Sequence, residues 1–257
     1  MTLKRFHFRW CNSLTSNQAT SPFEGEPTKR TLQFFWLADH SGSMAGQRIA
    51  QLNQAIREAI PAIRQVASEH PEVAIEMRAI RFASSPDWHV GDSSNPVPLE
   101  QFSWPELKAG GSTSTAQAIK LLAAELTETK MGTRGYPPVC LLVSDGFCTD
   151  PDAEYADAIR KLESLPWGRK AIRLAIAIGK ESEYDEAQLL QFINHPEVGL
   201  LKAHTADQLV NQIRWASVAA TMGATSGVTN AAQAAQSNAP NVQLASPPVL
   251  AATGDVF

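Results

Sequence analysis

The stretch from Leu32 to Ser43 most constrains what this chain can fold into. Residues 32–38 form an almost continuous apolar run of strand length, and the run ends at Asp39. Such a run is typical of a parallel strand that helices cover on both faces. Asp39, Ser41 and Ser43 follow with one residue between each. The pattern predicts a buried strand whose carboxyl end directs three oxygen-bearing side chains toward one point.

Two interpretations of Asp39-x-Ser41-x-Ser43 are open at this stage. Asp, Ser and Gly are common turn residues, so the stretch fits a turn that precedes the next helix. It also fits a cation site, because Mg²⁺ prefers an octahedron of oxygen ligands and retains several waters. Ligands of open α/β sheets bind outside the carboxyl ends of the strands, where this motif is expected.

Two later stretches favour the cation interpretation. A second apolar run begins at Val139 and ends in Ser144-Asp145-Gly146, and a Gly- and Ser-rich loop leads to Thr113 before a helical pattern. In a doubly wound sheet these loops reach the same rim as Asp39. Either Ser114 or Thr115 also fits the N-cap of the helix, which is the purely structural role for these hydroxyls.

The order of apolar patterns predicts an α/β fold. Strands alternate with helical segments, which indicates a doubly wound, mostly parallel central sheet of the Rossmann-like kind with one antiparallel edge strand. An apolar stripe from Ile49 to Val66 indicates a first helix, and Pro61 is expected to kink or break it. Further strands are predicted at residues 73–82, with a short hairpin partner at 87–90, and at 171–178 and 198–202.

The chain divides into three parts. We predict a flexible or peripheral arm at residues 1–30, a folded domain at 31–222 and a low-complexity, disordered tail at 223–257, where Asp255 is the only charged residue. A length of 257 residues with 44% apolar residues suffices for one substantial core.

Composition argues against several function classes. The net charge of −4 and the absence of a Lys/Arg run argue against nucleic-acid binding. No segment has 18 successive apolar residues and the N-terminus lacks an apolar signal core, so we expect a protein without a membrane span. Three cysteines without metal-type spacing favour a reducing, cytoplasmic compartment. Cys140 is expected in the core and Cys148 near the site, neither with a paired base.

The three motifs together resemble the metal-ion-dependent adhesion site of von Willebrand factor type A domains. That site combines Asp-x-Ser-x-Ser, a Thr and an Asp, here Asp39, Ser41, Ser43, Thr113 and Asp145. Within this superfamily, Leu37 to Gly46, Leu142 to Gly146 and Ile213 to Ser217 are most similar to the bacterial TerY-like proteins. His40 departs from the pattern, where Thr is common, and it places a titratable group beside the site.

The resemblance implies a non-enzymatic interaction module. The five residues would hold Mg²⁺, with Mn²⁺ or Ca²⁺ as alternatives, and a protein partner's Asp or Glu would complete the coordination shell. TerY-like proteins are associated with tellurium resistance and stress-response gene clusters, often beside kinases and PP2C-type phosphatases. The resemblance therefore implies a signalling partner of that kind.

Three alternatives remain open from the sequence. A Mg²⁺-dependent phosphotransfer enzyme would typically carry Asp-x-Asp, whereas Ser41 occupies the second position, and neither a site Lys nor a Gly-x-x-x-x-Gly-Lys loop is present. A structural subunit of a larger assembly would use the metal to lock loops. RNA binding through residues 1–30, as in some relatives of the domain, is the third.

Overall fold

A computed structural model describes residues 29–145, 147–225 and 244–248. The strands are Arg30–Asp39 (β1), Val73–Phe82 (β2), Pro86–Val90 (β3), Val97–Pro98 (β4), Val139–Ser144 (β5), Ile172–Ile178 (β6) and Leu201–Ala203 (β7). The helices are Gln47–Glu69 (α1), Thr115–Glu125 (α2), Glu128–Met131 (α3), Asp152–Ser164 (α4), Pro166–Lys170 (α5), Glu186–Phe192 (α6) and Ala206–Thr225 (α7).

The strands form one mostly parallel sheet in the order β3-β2-β1-β5-β6-β7. The pairs β2/β1, β1/β5, β5/β6 and β6/β7 are parallel. The edge strand β3 and the two-residue β4 both pair antiparallel with β2. The predicted α/β fold, with a parallel sheet and an antiparallel edge, is confirmed.

Strand β1 lies at the centre of the molecule because it is apolar on both faces. Phe34 and Trp36 point into the core formed with α1 and α7, whereas Phe35 and Leu37 point into the core formed with α2, α4 and α6. All four side chains are completely buried. Burial at both faces fixes the register of the strand, and hence the position at which Asp39 leaves the sheet.

Helix α1 is continuous through Pro61, so of the two predicted outcomes, a kink or a break, the break does not occur. Proline removes one hydrogen bond to the carbonyl four residues earlier, here that of Arg57. Both residues lie on the exposed face of the helix, where water can bond that carbonyl. Ile60 and Ile63 on either side are buried against the sheet and hold both halves in place.

Several element boundaries differ from the sequence prediction. Strand β7 is shorter and begins later than the predicted residues 198–202, and the short helices α3 and α5 were missed. Helix α7 runs to Thr225, three residues into the predicted tail, and Leu244 packs against the core that contains β1 and α1. The predicted arm up to residue 28 and most of the predicted tail lie outside the described residues. None of the helices in the described part of the chain combines the length and apolarity needed to cross a bilayer.

Candidate metal site

The site begins with the pairing of β1 and β5. Because Ala38 is in register with Val143, the next residues of both strands emerge side by side at the carboxyl rim of the sheet. There the Ser144 hydroxyl donates to Asp39 Oδ2 at 2.6 Å, joining residues 105 positions apart. The sheet topology alone therefore brings the ends of the first and second apolar runs together.

Asp39 is held as a buried hydrogen-bonded carboxylate. Its side chain is inaccessible to solvent, and its Oδ1 accepts the backbone N–H of Ser41 at 2.8 Å. Burial raises the pKa of Asp39 to about 6, although the bonds from Ser144 and Ser41 act in the opposite direction. The carboxylate therefore lacks sufficient compensation for its charge from the protein, which is a property expected of a cation ligand.

A chain of hydroxyl contacts extends from the first loop to Asp145. The Ser41 and Ser43 Oγ atoms lie 3.0 Å apart, and Ser43 Oγ donates to Asp145 Oδ1 at 2.9 Å. Ser43 is exposed, whereas Asp145 is buried. Ser41, Ser43 and Asp145 thus meet at one point, and the exposed serine marks the side on which this point opens to solvent.

Arg48 also belongs to the site, and the sequence prediction missed it. Its Nη1 contacts Asp145 Oδ2 at 2.7 Å, and its Nη2 contacts Glu183 Oε2 at 2.8 Å. Arg48 lies outside the three motifs around Asp39, Thr113 and Asp145, so the motifs do not predict it. The available signal is its place in the first turn of α1, directly after the Ser43 loop.

The backbone of Thr113 bonds Thr149, in the loop that follows β5 and Asp145. Its carbonyl accepts the N–H of Thr149 at 2.8 Å, and its own N–H donates to Thr149 Oγ1 at 3.2 Å. Two residues earlier, the Gly111 carbonyl accepts the N–H of Gly42 at 2.8 Å. Gly111 has a φ of +89°, and a Cβ there would lie 2.6 Å from Ser84 Oγ, so only glycine fits this approach. The Thr113 side chain is 5% exposed.

The segment that leads to Thr113 is packed onto the domain. Its side chains Phe102, Trp104 and Leu107 are buried. Arg64 on α1 donates to the carbonyls of Leu99, Glu100 and Phe102. Residues 91–112 therefore form a strap that is packed onto the domain and leads directly to Thr113.

Asp150 lies just before helix α4, but its side chain caps helix α2. Its Oδ2 accepts the backbone N–H of Ala116 at 2.7 Å, in the first turn of α2. Ser114 occupies the N-cap position of α2 without a side-chain capping bond. Asp150 thus supplies the capping bond that Ser114 does not make. The same bond connects the loop after β5 to helix α2, which follows Thr113.

His40 fastens the strap to the end of β1. Its Nδ1 lies 3.0 Å from the Lys108 carbonyl, and its own carbonyl accepts the N–H of Gly110 at 2.8 Å. Since a carbonyl only accepts, Nδ1 is the protonated nitrogen. The residue that departs from the resembled motif therefore has a structural role beside the site.

The donor set fits a hard divalent cation. Asp39, Ser41, Ser43 and Asp145 offer two carboxylates and two hydroxyls, all oxygen, and Thr113 would add a third hydroxyl; of the five residues Ser43 is the exposed one. The described residues contain no cluster of three or more His, Cys, Asp or Glu side chains that could hold a metal, so an ion here needs the hydroxyls and water as well. Burial raises the pKa of the nearby Cys148, and it raises that of Cys140 to about 12, which keeps both thiols protonated.

The arrangement of sheet and helices is the α/β fold that is also found in von Willebrand factor type A proteins. The structure is similar to a von Willebrand factor type A protein from Catenulispora acidiphila, at 12% identity and a TM-score of 0.58 over 76% of this chain and 43% of that one. It is also similar to the ArnB paralog VWA2 from Sulfolobus acidocaldarius, at 17% identity and a TM-score of 0.53 over 73% of this chain and 45% of that one.

A third similar structure is proximal thread matrix protein 1 from the mussel byssus, at 13% identity and a TM-score of 0.54 over 76% of this chain and 50% of that one. The chain thus spans half or less of these solved chains. No protein-family model matches the sequence, and neither does any curated protein. At such identities the likeness establishes the fold.

Proposed function

We propose that this domain is a non-enzymatic, metal-dependent protein interaction module. The observation that carries the proposal is the contact chain from Ser41 through Ser43 to Asp145, which joins two motifs about one hundred residues apart at an exposed rim. Asp39, Ser41, Ser43, Thr113 and Asp145 would hold the ion. We propose Mg²⁺ as the ion in the cell, with Mn²⁺ or Ca²⁺ as possible substitutes, because the donors are all oxygen.

The charge balance supports a carboxylate as the partner's ligand. The site supplies two Asp carboxylates, but Arg48 pairs with Asp145, so a divalent ion would keep part of its positive charge, and Mg²⁺ keeps water where the protein offers no ligand. An Asp or Glu from a partner exchanges for such a water more favourably than a neutral group does. Small exposed residues lie next to the site in the two loops that Gly42 and Gly111 join, and they leave room for an approaching surface: Gly42, Ser43, Gly111 and Ser112.

The buried position of Asp39 supports a binding role over phosphotransfer. An Asp nucleophile must present one oxygen to the substrate. Here both oxygens of Asp39 accept hydrogen bonds, from Ser41 N–H and Ser144 Oγ. We therefore propose that Asp39 supports the ion and does not accept a phosphoryl group.

The finer assignment rests on the sequence resemblance alone. We propose a cytoplasmic stress-response, tellurium-resistance or signalling complex, with a kinase or a PP2C-type phosphatase as the partner that presents the carboxylate. The similarity of the segments around Asp39 and Asp145 to TerY-like proteins supports this, as does the sparse cysteine content.

A pull-down from an extract of the native cells tests the proposal. Immobilised chain is compared in Mg²⁺ and in chelator, followed by mass spectrometry, and Asp39→Ala is compared with Asp157→Ala, an exposed residue on α4. The proposal expects a partner that is captured only in Mg²⁺, kept by Asp157→Ala and lost with Asp39→Ala. A partner retained in chelator and by Asp39→Ala would contradict it.

A further inference from the structure

The guanidinium of Arg48 lies where a metal-bound carboxylate needs its charge neutralised. It contacts Asp145 Oδ2 at 2.7 Å, and the side chain of Asp145 has no solvent exposure. The Arg48 side chain is itself only 15% exposed. A buried carboxylate with one full cationic partner is stable without a metal, and the same cation repels a second one that approaches.

The position of Arg48 is fixed from its other side. Its Nη2 contacts Glu183 Oε2 at 2.8 Å, and the same Glu183 oxygen accepts the backbone N–H of Lys180 at 2.7 Å. Gly179, with a φ of +104°, makes this approach possible, since a Cβ there would lie 2.5 Å from Glu183 Oε2 and 3.2 Å from Arg48 Nη2. The cation is therefore held in place by the loop after β6 and is not a free surface side chain.

We propose that Arg48 is a built-in counter-cation that competes with the divalent ion for Asp145 and sets the metal affinity of the site. In the metal-free domain it neutralises Asp145; when an ion binds, Asp145 is shared between two cations. Glu183 weakens this competition because it draws part of the guanidinium charge away from the site. The inference rests on the proposed metal site, and it adds a residue that none of the three motifs contains.

Removing the charge is the direct test. Mn²⁺ binding to Arg48→Met is measured by isothermal titration calorimetry beside Arg160→Met, a control on the exposed face of α4 where Arg160 pairs with Asp157. We expect Arg48→Met to bind Mn²⁺ about tenfold more tightly than the wild type, which corresponds to about 1.4 kcal/mol of binding free energy. Arg160→Met should match the wild type.

Two further variants distinguish the effect of the Arg48 charge on metal affinity from the effect of its side-chain shape. Arg48→Lys keeps the charge but loses the planar fork, so it should bind Mn²⁺ within about twofold of the wild type. Glu183→Gln should bind Mn²⁺ about threefold more weakly, because the full charge of Arg48 then faces the site. Glu181→Gln is its control, because Glu181 lies in the same loop and pairs with Lys202.

Thermal melting supplies a readout that does not depend on affinity. In chelator, Arg48→Met should melt below the wild type, since the buried Asp145 loses its cation, and saturating Mn²⁺ should raise its melting temperature by more than it raises that of the wild type. Equal or weaker Mn²⁺ binding by Arg48→Met, with binding intact in the wild type, would overturn the inference and leave the metal site standing. Absence of Mn²⁺ binding in both proteins would overturn the site and the inference together.

Discussion

Asn53 and Leu107 form two hydrogen bonds with each other, one in each direction. The Leu107 N–H donates to Asn53 Oδ1 at 2.9 Å, and Asn53 Nδ2 donates to the Leu107 carbonyl at 3.0 Å. The Trp104 indole N–H adds a third bond to Asn53 Oδ1 at 2.9 Å. One buried amide on α1 therefore fastens the strap that positions Thr113.

We predict that Asn53→Ala lowers the free energy of unfolding by about 3 kcal/mol, because it leaves buried donors and an acceptor of the strap without partners. Urea unfolding followed by circular dichroism measures this. Gln54→Ala is the control, since Gln54 is exposed and bonds Glu58 one turn away. A loss for Asn53→Ala no larger than for Gln54→Ala would show that the strap is held by its apolar side chains alone.

The raised pKa of Asp39 predicts an inverse pH dependence of stability in chelator. The folded pKa is about 6, whereas an unfolded Asp titrates near pKa ~4. Between these values the folded state holds a proton that the unfolded state has lost, so the contribution of this group falls as the pH rises, by about 3 kcal/mol in all.

Asp39→Asn isolates that contribution. The variant should match the wild type near pH 4 and exceed it at pH 7.5 by about 3 kcal/mol in chelator, because an amide does not ionise. Chemical unfolding at several pH values measures the difference. Saturating Mg²⁺ should reverse the order at pH 7.5 by stabilising only the wild type. A constant difference between pH 4 and 7.5 would contradict the assignment.

Arg78 on β2 and Glu125 on α2 form a buried ion pair, and we predict that breaking it lowers the stability of the domain markedly. Arg78 Nη1 contacts Glu125 Oε2 at 2.9 Å, both side chains are nearly inaccessible, and the guanidinium lies 4.5 Å above the Phe35 ring. Arg78→Met should cost about 3 kcal/mol, because Glu125 then keeps the partly exposed Lys130, at 2.7 Å, as its cationic partner in place of a buried guanidinium. Differential scanning calorimetry measures the loss.

The matched comparison for that pair is Lys120→Met. Lys120 and Glu154 form an ion pair at 3.1 Å, but both side chains are substantially exposed, and such pairs contribute at most about 1 kcal/mol. Equal losses in Arg78→Met and Lys120→Met would mean that the Arg78 pair is solvated in solution.

We predict that His40→Ala weakens the attachment of the strap to β1 but leaves metal binding intact. It removes one bond to the Lys108 carbonyl, so we expect a loss of about 1 kcal/mol in unfolding free energy. Hydrogen exchange should show faster exchange at Gly110, whose N–H bonds the His40 carbonyl. Mn²⁺ affinity should change by less than about threefold. Complete loss of Mn²⁺ binding would identify His40 as a ligand and contradict its role as a fastener.

The parts of the fold that could be predicted from the sequence are those in which burial dictates residue type. The unbroken apolar run of β1 is unambiguous because helices cover both of its faces. Its end at Asp39 and the end of β5 at Ser144 then follow from topology, which is why the motifs were placed at one rim. Short elements such as β7 and α5 carry too few residues for a periodic pattern.

The contacts that the sequence did not reveal are long-range and polar. Arg48 meets Glu183 across 135 residues, and Asp150 caps α2 instead of its own helix. Such pairs depend on how loops pack, and no local spacing encodes them. The helix break predicted at Pro61 does not occur for a related reason. Tertiary packing of Ile60 and Ile63 outweighs the local tendency of proline to end a helix.

Metal binding by the purified chain is the direct test of the five-residue site. Isothermal titration of the metal-free wild type with Mn²⁺ should show one ion per chain, and Mg²⁺ should compete for it. Asp39→Asn should show no binding at the same concentrations while retaining its fold. One Mn²⁺ bound with the same affinity by wild type and Asp39→Asn would contradict the central claim.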